Sequence, residues 1–555
     1  VRVVSFSSIG FDGELVSVEV DIRRGIPGID VVGLPDGAVR EAKERVRVAL
    51  RNSGYSFPAD RILVNLAPAG VRKEGAAFDL AIAVGILASS GQLECPDSAP
   101  VLVMGELELS GTIRPVRGVL SAVAAGLEHG IRYFIVPSEN LEEAAVLRAG
   151  RICGLRTLGG AAAVFTALSH TGKFPSRSFP PSVSRSESPS PHFPVNGSGS
   201  SRSPVFPAAS RSRTVHRPES GPEPDRLPAV PPEPDFADLR GQPVLTRALE
   251  IAAAGGHHVF LFGPPGCGKT MSARRFPGLL PDLPREDSIV VTRIYSTAGV
   301  LPNGAGLIRR PPFRSPHHSA SLEGIIGGGR SVRPGEVSLA HKGVLFLDEA
   351  PEFGRPILQS LREPIEEGRV VIARAGASYW FPSDFQLILA ANPCPCGNLG
   401  HDEKVCLCSA NEIASYWKKL RGPLLDRIDL RVPVDPVPAE RMLEPNPERT
   451  ETMRARVVSA LGLQAERYGG IGVTRNAKLP AAYLERFCAL DRTAARELAS
   501  VSRKLSLSSR AVHSVVRVAR TIADLAGADR IGHEHLFEAI QHRRFGDGDY
   551  YWGSS

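Results

Sequence analysis

Eight residues, Gly263-Pro264-Pro265-Gly266-Cys267-Gly268-Lys269-Thr270, constrain this chain more than any other stretch. They match G-x-x-x-x-G-K-[ST], directly after the apolar run HVFLFG and directly before TMSARRF, which has a helical pattern. Strand, glycine-rich turn and helix in that order belong to a parallel α/β sheet that presents a strand's carboxyl end to a bound phosphate. Gly263, Gly266 and Gly268 let backbone N–H groups curl around phosphates, and Lys269 reaches the β/γ-phosphates. Thr270 is placed to hold Mg²⁺, and Pro264, Pro265 and Cys267 complete the loop, Cys267 as a small filler rather than a redox switch. ATP with Mg²⁺ is the expected cofactor pair.

Strand and helix patterns alternate from Asp235 to about residue 435, as a parallel sheet with helices on both faces requires. FADLRGQPVLTRALEIAAAGG reads as one capped helix at the start of that region. Residues 436–555 carry helical spacing with few strand signals and read as a helical bundle. At the other end, residues 1–170 form a second mixed α/β unit. SVEVDIRRG, DVVGLP, ILVNLAP and VLVMGELEL read as strands there. DGAVREAKERVRVALRNSG reads as an amphipathic helix capped by Asp36 and stopped by Gly54, with Val39, Val46 and Leu50 inward. FDLAIAVGILAS and VLSAVAAGLEHG read as buried helices.

Between the two lies a stretch that no folded domain uses. Prolines number 47 in 555 residues, and the excess sits largely in 171–234 among serines and arginines. That composition cannot bury enough surface to offset chain entropy, so a disordered tether is expected. A net charge of +7 permits nucleic-acid binding without demanding it. Eight cysteines in this length fit a reducing compartment rather than a disulfide scaffold. With no apolar run of membrane-spanning length and no signal-peptide pattern at VRVVSFSSIG, the expected location is the cytoplasm, with no membrane partner.

Further residues are placed for chemistry on a phosphate. GVLFLDEAPEF is an apolar strand ending in Asp348-Glu349, which assigns Asp348 to the metal and Glu349 to the attacking water. FQLILAAN ends in Asn392, either a contact to that water or the γ-phosphate, or a plain turn residue. Arg427 in GPLLDRIDLRVPV and Arg510 in LSLSSRAVHSVVRVARTIADL read from spacing alone as readily as surface arginines as catalytic ones.

Cys394-Pro-Cys396 and Cys406-Leu-Cys408 put half of the cysteines in fifteen residues, with GNLGHDEKV between them. Four thiolates there would enclose a tetrahedral Zn²⁺; the alternatives are reduced free thiols or redox chemistry. His401 reads as loop. GRVVIARAGASYWFPSDF reads as a hairpin turning at Arg374-Ala-Gly376-Ala, in which Tyr379 and Trp380 either stack on bases or pack the hairpin on the core. His317 and His318 in SPHHSAS read as a loop reaching toward DNA or a neighbour rather than a metal site.

GPPGCGKT, VLFLDEAPEF, LILAANPCPCG, GPLLDRIDL and SSRAVHSVVRVARTIADL, in this order, resemble the magnesium-chelatase-like AAA+ ATPases. GLPDGAVREAKERVRVAL, ILVNLAPAGVRKEGAAFDLAIAVGIL, GELELSGTIRPVRGVL and PFRSPHHSASLEGIIGGG are similar to the ComM/YifB branch of that family. The resemblance covers nearly everything except the tether. It implies a Lon-protease-C-terminal-like (ribosomal S5 domain 2-like) first domain, a AAA+ P-loop core with a parallel sheet, a C-terminal helical lid, and a ring, as a hexamer. It further implies Asn392 as sensor 1, Arg427 as the finger reaching a neighbour's ATP, and Arg510 as the sensor-2 arginine. A hairpin pointing into the pore is implied, with Arg374 on phosphates. So is an ATP-driven DNA helicase that promotes branch migration when incoming DNA is recombined, alongside other recombination proteins.

Two departures from the family pattern stand out. The tether is long and Pro/Ser-rich, which predicts loose coupling between the domains it joins. GAAFDLA and RGVLSAV place Ala77 and Leu120 where a Lon-type protease has its Ser and Lys, and Ser121 has no evident base. That disfavours an ATP-dependent protease or adaptor. A chelatase subunit driving metal insertion is the other alternative, and the Lon-like first domain argues against it.

Overall fold

The computed structural model describes residues 2–543 except 71–72, 96–99, 173, 175–233, 303, 330, 375–376, 400–403, 421–423, 445, 447 and 491. Most of the 171–234 stretch, the hairpin turn at 375–376 and His401 therefore lie outside the described residues.

The first domain is built on a seven-stranded mixed sheet ordered β3-β4-β2-β1-β5-β8-β9. Its strands are β1 (Arg2–Ser7), β2 (Glu14–Arg23), β3 (Gly28–Val32), β4 (Arg61–Ala67), β5 (Val101–Val103), β8 (Tyr133–Pro137) and β9 (Arg151–Leu155). VLVMGELEL, expected as one strand, is divided: β5 ends at Val103, and β6 (Glu106–Leu107) pairs instead with β7 (Ile113–Arg114). The amphipathic helix runs Gly37–Asn52, with Asp36 accepting a hydrogen bond from the Val39 N–H at 2.8 Å. Its buried side includes Val39, Val46 and Leu50, as the spacing predicts. The apolar helix Asp79–Ser89 is buried around nearly its whole surface beneath the sheet. Helix Val119–Glu128 belongs to the smaller cluster on the other face, with Phe6, Leu102 and Phe134.

The second sheet is five-stranded and parallel, ordered β11-β14-β17-β10-β18. It comprises β10 (Val259–Phe262), β11 (Phe313–Arg314), β14 (Val344–Leu347), β17 (Gln386–Ala391) and β18 (Leu430–Pro433). Small antiparallel additions are β12 (Gly327–Gly328) with β13 (Arg333–Pro334), and the hairpin β15 (Arg369–Arg374) with β16 (Ala377–Pro382). Side chains alternate between two faces along each strand. Accordingly Val259, Leu261, Phe346 and Ile388 join a core with helices Pro243–Gly255, Thr450–Arg467 and Ser509–Leu525. Phe260, Leu345, Leu387 and Leu389 join another with helices Arg355–Ser360 and Ala410–Lys418. The helix expected from Phe236 begins only at Pro243, because Phe236–Asp238 forms a separate short turn capped by Asp235. Proline at the first helical position lacks only an N–H that would have no partner in the helix. Among the described residues, the chain beyond β18 is helical.

The loose coupling predicted from the tether is not what the structure shows. Helix Arg285–Ala298 of the second domain lies against the first domain through specific buried contacts. Glu143 accepts hydrogen bonds from Ser296 Oγ, from the Leu120 N–H and from Asn140 Nδ2, the last two at 2.9 Å. Ser296 Oγ in turn accepts from the Gly118 N–H at 3.0 Å, and Arg285 donates to the Val146 carbonyl at 2.8 Å. Burial pushes the Glu143 carboxyl up, so these donors are what keep a buried acid tolerable. A covalent linker sets only how far two domains can separate, whereas complementary surfaces decide whether they do. Ser121 is buried here, its hydroxyl 3.4 Å from Arg293 Nε.

Candidate active site

Three neighbouring strands end in the residues that chemistry at a phosphate requires. β10 runs into the loop from Gly263 to Gly268, β14 into Asp348-Glu349, and β17 into Asn392. β17 lies between the other two, pairing Ala391 with Phe262 and Leu389 with Leu347. Side chains far apart in sequence therefore meet at the carboxyl edge of a parallel sheet, where ligands bind in such folds.

The loop's path depends on absent side chains. A Cβ on Gly263 would lie 2.0 Å from the Val434 backbone oxygen, and Gly268 has φ +92°, a conformation that side chains strain. The helix Lys269–Arg275 starts immediately after. Lys269 Nζ donates to the carbonyls of Gly263 (2.6 Å) and Pro264 (2.8 Å) and to Asn392 Oδ1 (3.1 Å). Burial pulls its ammonium below the ordinary lysine value, so an anion brought alongside stabilises the charged form. Asn392 is thereby placed beside the loop rather than in a bystander turn.

Thr270 Oγ1 donates to Asp348 Oδ2 at 2.6 Å. A hydroxyl and a carboxylate oxygen this close are the hard donors that Mg²⁺ takes together with water and phosphate oxygens, so the pair fits that ion. Glu349 sits at φ +49°, in the left-handed region, and is 52% exposed. His318 Nδ1 lies 3.7 Å from Glu349 Oε2. The spacing of SPHHSAS carries no signal for this neighbour; only the placement of the loop after β11 next to β14 brings it there.

Arg427 and Arg510 meet at one carboxylate. Arg427 Nη2 is 2.7 Å from Glu366 Oε1, and Arg510 Nη2 bonds the same oxygen. A buried polar network sets the two in register. Asp429, two residues after Arg427, accepts from Ser514 Oγ at 2.5 Å, and Ser514 lies one helical turn beyond Arg510. His257 Nδ1 is 3.1 Å from the other Asp429 oxygen. Burial opposes the Asp429 charge, but His257 and Ser514 outweigh it and hold the carboxyl below its ordinary range. The helix carrying Arg510 buries Ala511, Val515, Val518, Ala519 and Ile522, as its spacing predicts.

The four loop cysteines converge. Their sulfurs all lie within 4.8 Å of one another. Cys394 is 3.3 Å from Cys396 and 3.6 Å from Cys406, and Cys396 is 3.7 Å from Cys406. Tetrahedral Zn–S bonds of about 2.3 Å set sulfurs about 3.8 Å apart, so the set fits Zn²⁺. The Asn398 N–H draws the Cys396 thiol down to about 6, toward the thiolate a metal needs. The cluster adjoins the nucleotide loop: a Cβ on Gly397 would come within 3.1 Å of Pro265.

In the hairpin, Trp380 Nε1 donates to Asp12 at 3.1 Å and its ring stands 5.3 Å from Phe11, itself covered by Arg293 at 4.3 Å. Tyr379 approaches Gly10. Of the two readings of these aromatics, the packing role is thus visible: both meet the Gly10–Asp12 turn of the first domain, and Tyr379 also packs on the cluster that holds Ile294, Leu339 and Phe381. Arg374, at the exposed end, donates to the Gly329 carbonyl.

Models of the magnesium chelatase subunit ChlI match three stretches: 18–140, 235–442 and, for its C-terminal part, 447–543. Competence protein ComM of Haemophilus influenzae is 38% identical over 98% of this chain and 97% of its own length. An uncharacterized protein of Mycobacterium tuberculosis is 38% identical over 98% of this chain and 99% of its own. The uncharacterized YifB of Escherichia coli is 37% identical over 97% and 96%. No described helix is long and apolar enough to cross a membrane. With family models over most of the chain and relatives matched nearly end to end, this protein belongs to the ComM/YifB-type magnesium-chelatase-like AAA+ family.

Proposed function

We propose that this protein hydrolyses ATP with Mg²⁺ as a ring, a hexamer, and spends the energy on moving DNA, promoting branch migration when incoming DNA is recombined. The convergence of Lys269, Thr270, Asp348, Glu349 and Asn392 at one sheet edge carries the ATPase reading. The DNA reading is supported by the end-to-end similarity to a competence protein. In this reading Lys269 and the loop hold the β/γ-phosphates, Thr270 and Asp348 the metal, Glu349 the water, and Asn392 the γ-phosphate side. Arg427 serves a neighbour's nucleotide, and in this chain it is held by Glu366. The first domain is read as Lon-protease-C-terminal-like and the segment after β18 as the lid.

The test follows strand exchange on a labelled four-way junction beside phosphate release. DNA binding is expected to weaken steeply with salt, because phosphate contacts release counterions. Arg374→Ala is expected to slow branch migration more than basal hydrolysis, since Arg374 lies on the hairpin and not at the nucleotide loop. Tyr379 and Trp380, as further DNA contacts, would have to leave the Gly10–Asp12 turn to stack on bases, so Tyr379→Ala separates stacking from domain packing by its effect on Tm. A wild-type protein that neither binds nor moves any DNA sinks the motor reading and favours the chelatase one.

The cysteine cluster is read as a structural zinc site formed by Cys394, Cys396, Cys406 and Cys408. Metal analysis of protein prepared without chelator is expected to find about one zinc per chain, and about none in Cys394→Ser. Full zinc content in that variant ends the assignment.

A further inference from the structure

Glu366 serves two masters from different parts of the fold. Arg427 reaches it from the turn before β18, and Arg510 from the first turn of helix Ser509–Leu525. Two guanidiniums repel each other unless an anion lies between them, and here that anion is a carboxylate of the same chain. Its hydrogen bond from Arg427, and then that from Arg510, hold the Glu366 carboxyl below its ordinary range. A third arginine adjoins. Arg362 begins the helix Arg362–Glu367 that carries Glu366, and its Nε is buried with no hydrogen-bond partner among the described residues. Arg362, Arg427, Glu363, Glu366 and Glu367 line one open cleft, in which Glu367 is taken up by Arg369 at 3.2 Å. Glu366 is 39% exposed and Arg510 42%, whereas Arg427 is 11% exposed. Ion pairs open to water on at least one side are weak and readily exchanged. A phosphate brings more charge and bidentate geometry to guanidiniums than a carboxylate does.

We propose that Glu366 is a stand-in for phosphate. In the isolated chain it gathers Arg427 and Arg510 and keeps them occupied; on assembly it yields them to the terminal phosphate of a nucleotide held by a second copy of this chain, with Arg362 as a further donor. Glu366 is a positioning residue in this scheme, touching the arginines and not the nucleotide. The proposal rests on the ring reading above. It adds that assembly with ATP competes with an internal ion pair.

The experiment measures molar mass by light scattering against protein concentration, with ATP present, for the wild type, Glu366→Gln, Glu366→Asp and Glu366→Gln combined with Arg427→Ala. Glu366→Gln keeps the shape and removes the charge at an exposed position. Its assembly midpoint is expected to fall roughly three- to tenfold, the scale of one or two exposed ion pairs. KM for ATP is expected to fall in the same direction without loss of kcat. Glu366→Asp is expected to stay near the wild type, and the Arg427→Ala background to erase the shift. A wild type that assembles with ATP while Glu366→Gln shows an unmoved or higher midpoint, or a lower kcat, overturns the clamp and makes Glu366 a structural strut. A wild type that never gains mass with ATP fails the ring reading instead, and the clamp with it.

Discussion

ATP hydrolysis by a Glu349→Gln protein is expected to fall by about 10²–10⁴-fold, the span of a lost general base, with nucleotide binding retained. The expectation comes from separated duties at the sheet edge. Lys269 is tied to the loop carbonyls and Asn392, and Thr270 to Asp348, so the groups proposed to hold phosphate and metal do not depend on the Glu349 carboxylate. Glu349 stands apart from them, half exposed, with the His318 ring as its neighbour at 3.7 Å. Glutamine preserves its volume and can still accept a hydrogen bond, but it cannot take a proton from water. Phosphate release under saturating ATP measures the loss, and equilibrium binding of a fluorescent ATP analogue checks that affinity survives. Ordinary turnover in this variant removes Glu349 from the mechanism. A loss of binding equal to the loss of turnover moves it into the metal shell with Asp348.

Arg427→Ala is expected to lower hydrolysis by roughly 10³-fold or more, the scale of an arginine finger supplied in trans. Its own nucleotide loop is left intact, so ATP affinity per chain is expected to change little. Arg427→Lys is expected to recover only a part, because an ammonium keeps the charge but not the planar fork that grips phosphate or carboxylate. The stronger check is complementation. A Lys269→Ala chain is expected not to hold nucleotide productively but still carries Arg427; an Arg427→Ala chain is expected to hold nucleotide but lacks the proposed finger. Mixed, the first can complete the second's site, so activity above either alone is expected, with a maximum at intermediate ratios. No rescue at any ratio places Arg427 in cis, and the pairing with Glu366 is then a matter of folding alone.

Much of the site could be read directly along the chain. Asp348-Glu349 and Asn392 follow directly on apolar runs that read as buried strands, and Lys269 and Thr270 close the glycine-rich loop that follows a third such run. The buried side of helix Ser509–Leu525 and the Asp36 cap were equally legible, since both rest on spacings within a few residues. The cysteine spacing announced a cluster, and the fold closes it. Where the reading missed, the deciding interaction crossed the fold. FADLRGQPV looked helical throughout, yet Asn446 draws the Phe236 and Leu239 carbonyls into a separate turn. Tyr379 and Trp380 could be read either as stacking on bases or as packing the hairpin, and no spacing names the Gly10–Asp12 turn that lies against them.

What the sequence determined by itself is therefore the inventory of the site: which residues stand at strand ends, and which chemistry each can perform. The tertiary structure alone decided which of them meet. The strand order β11-β14-β17-β10-β18 aligns the loop, Asp348 and Asn392, and brings the segment around His318 to Glu349. Packing of helix Ser509–Leu525 on the sheet carries Arg510 to the carboxylate that Arg427 already holds. Docking of the first domain on helix Arg285–Ala298 overrides the freedom its tether would allow. The physical reason is the same each time. Periodicity records which face of an element avoids water, a property local to a few turns. Contact between distant elements depends on how whole apolar faces are matched, and no short window of sequence contains both partners.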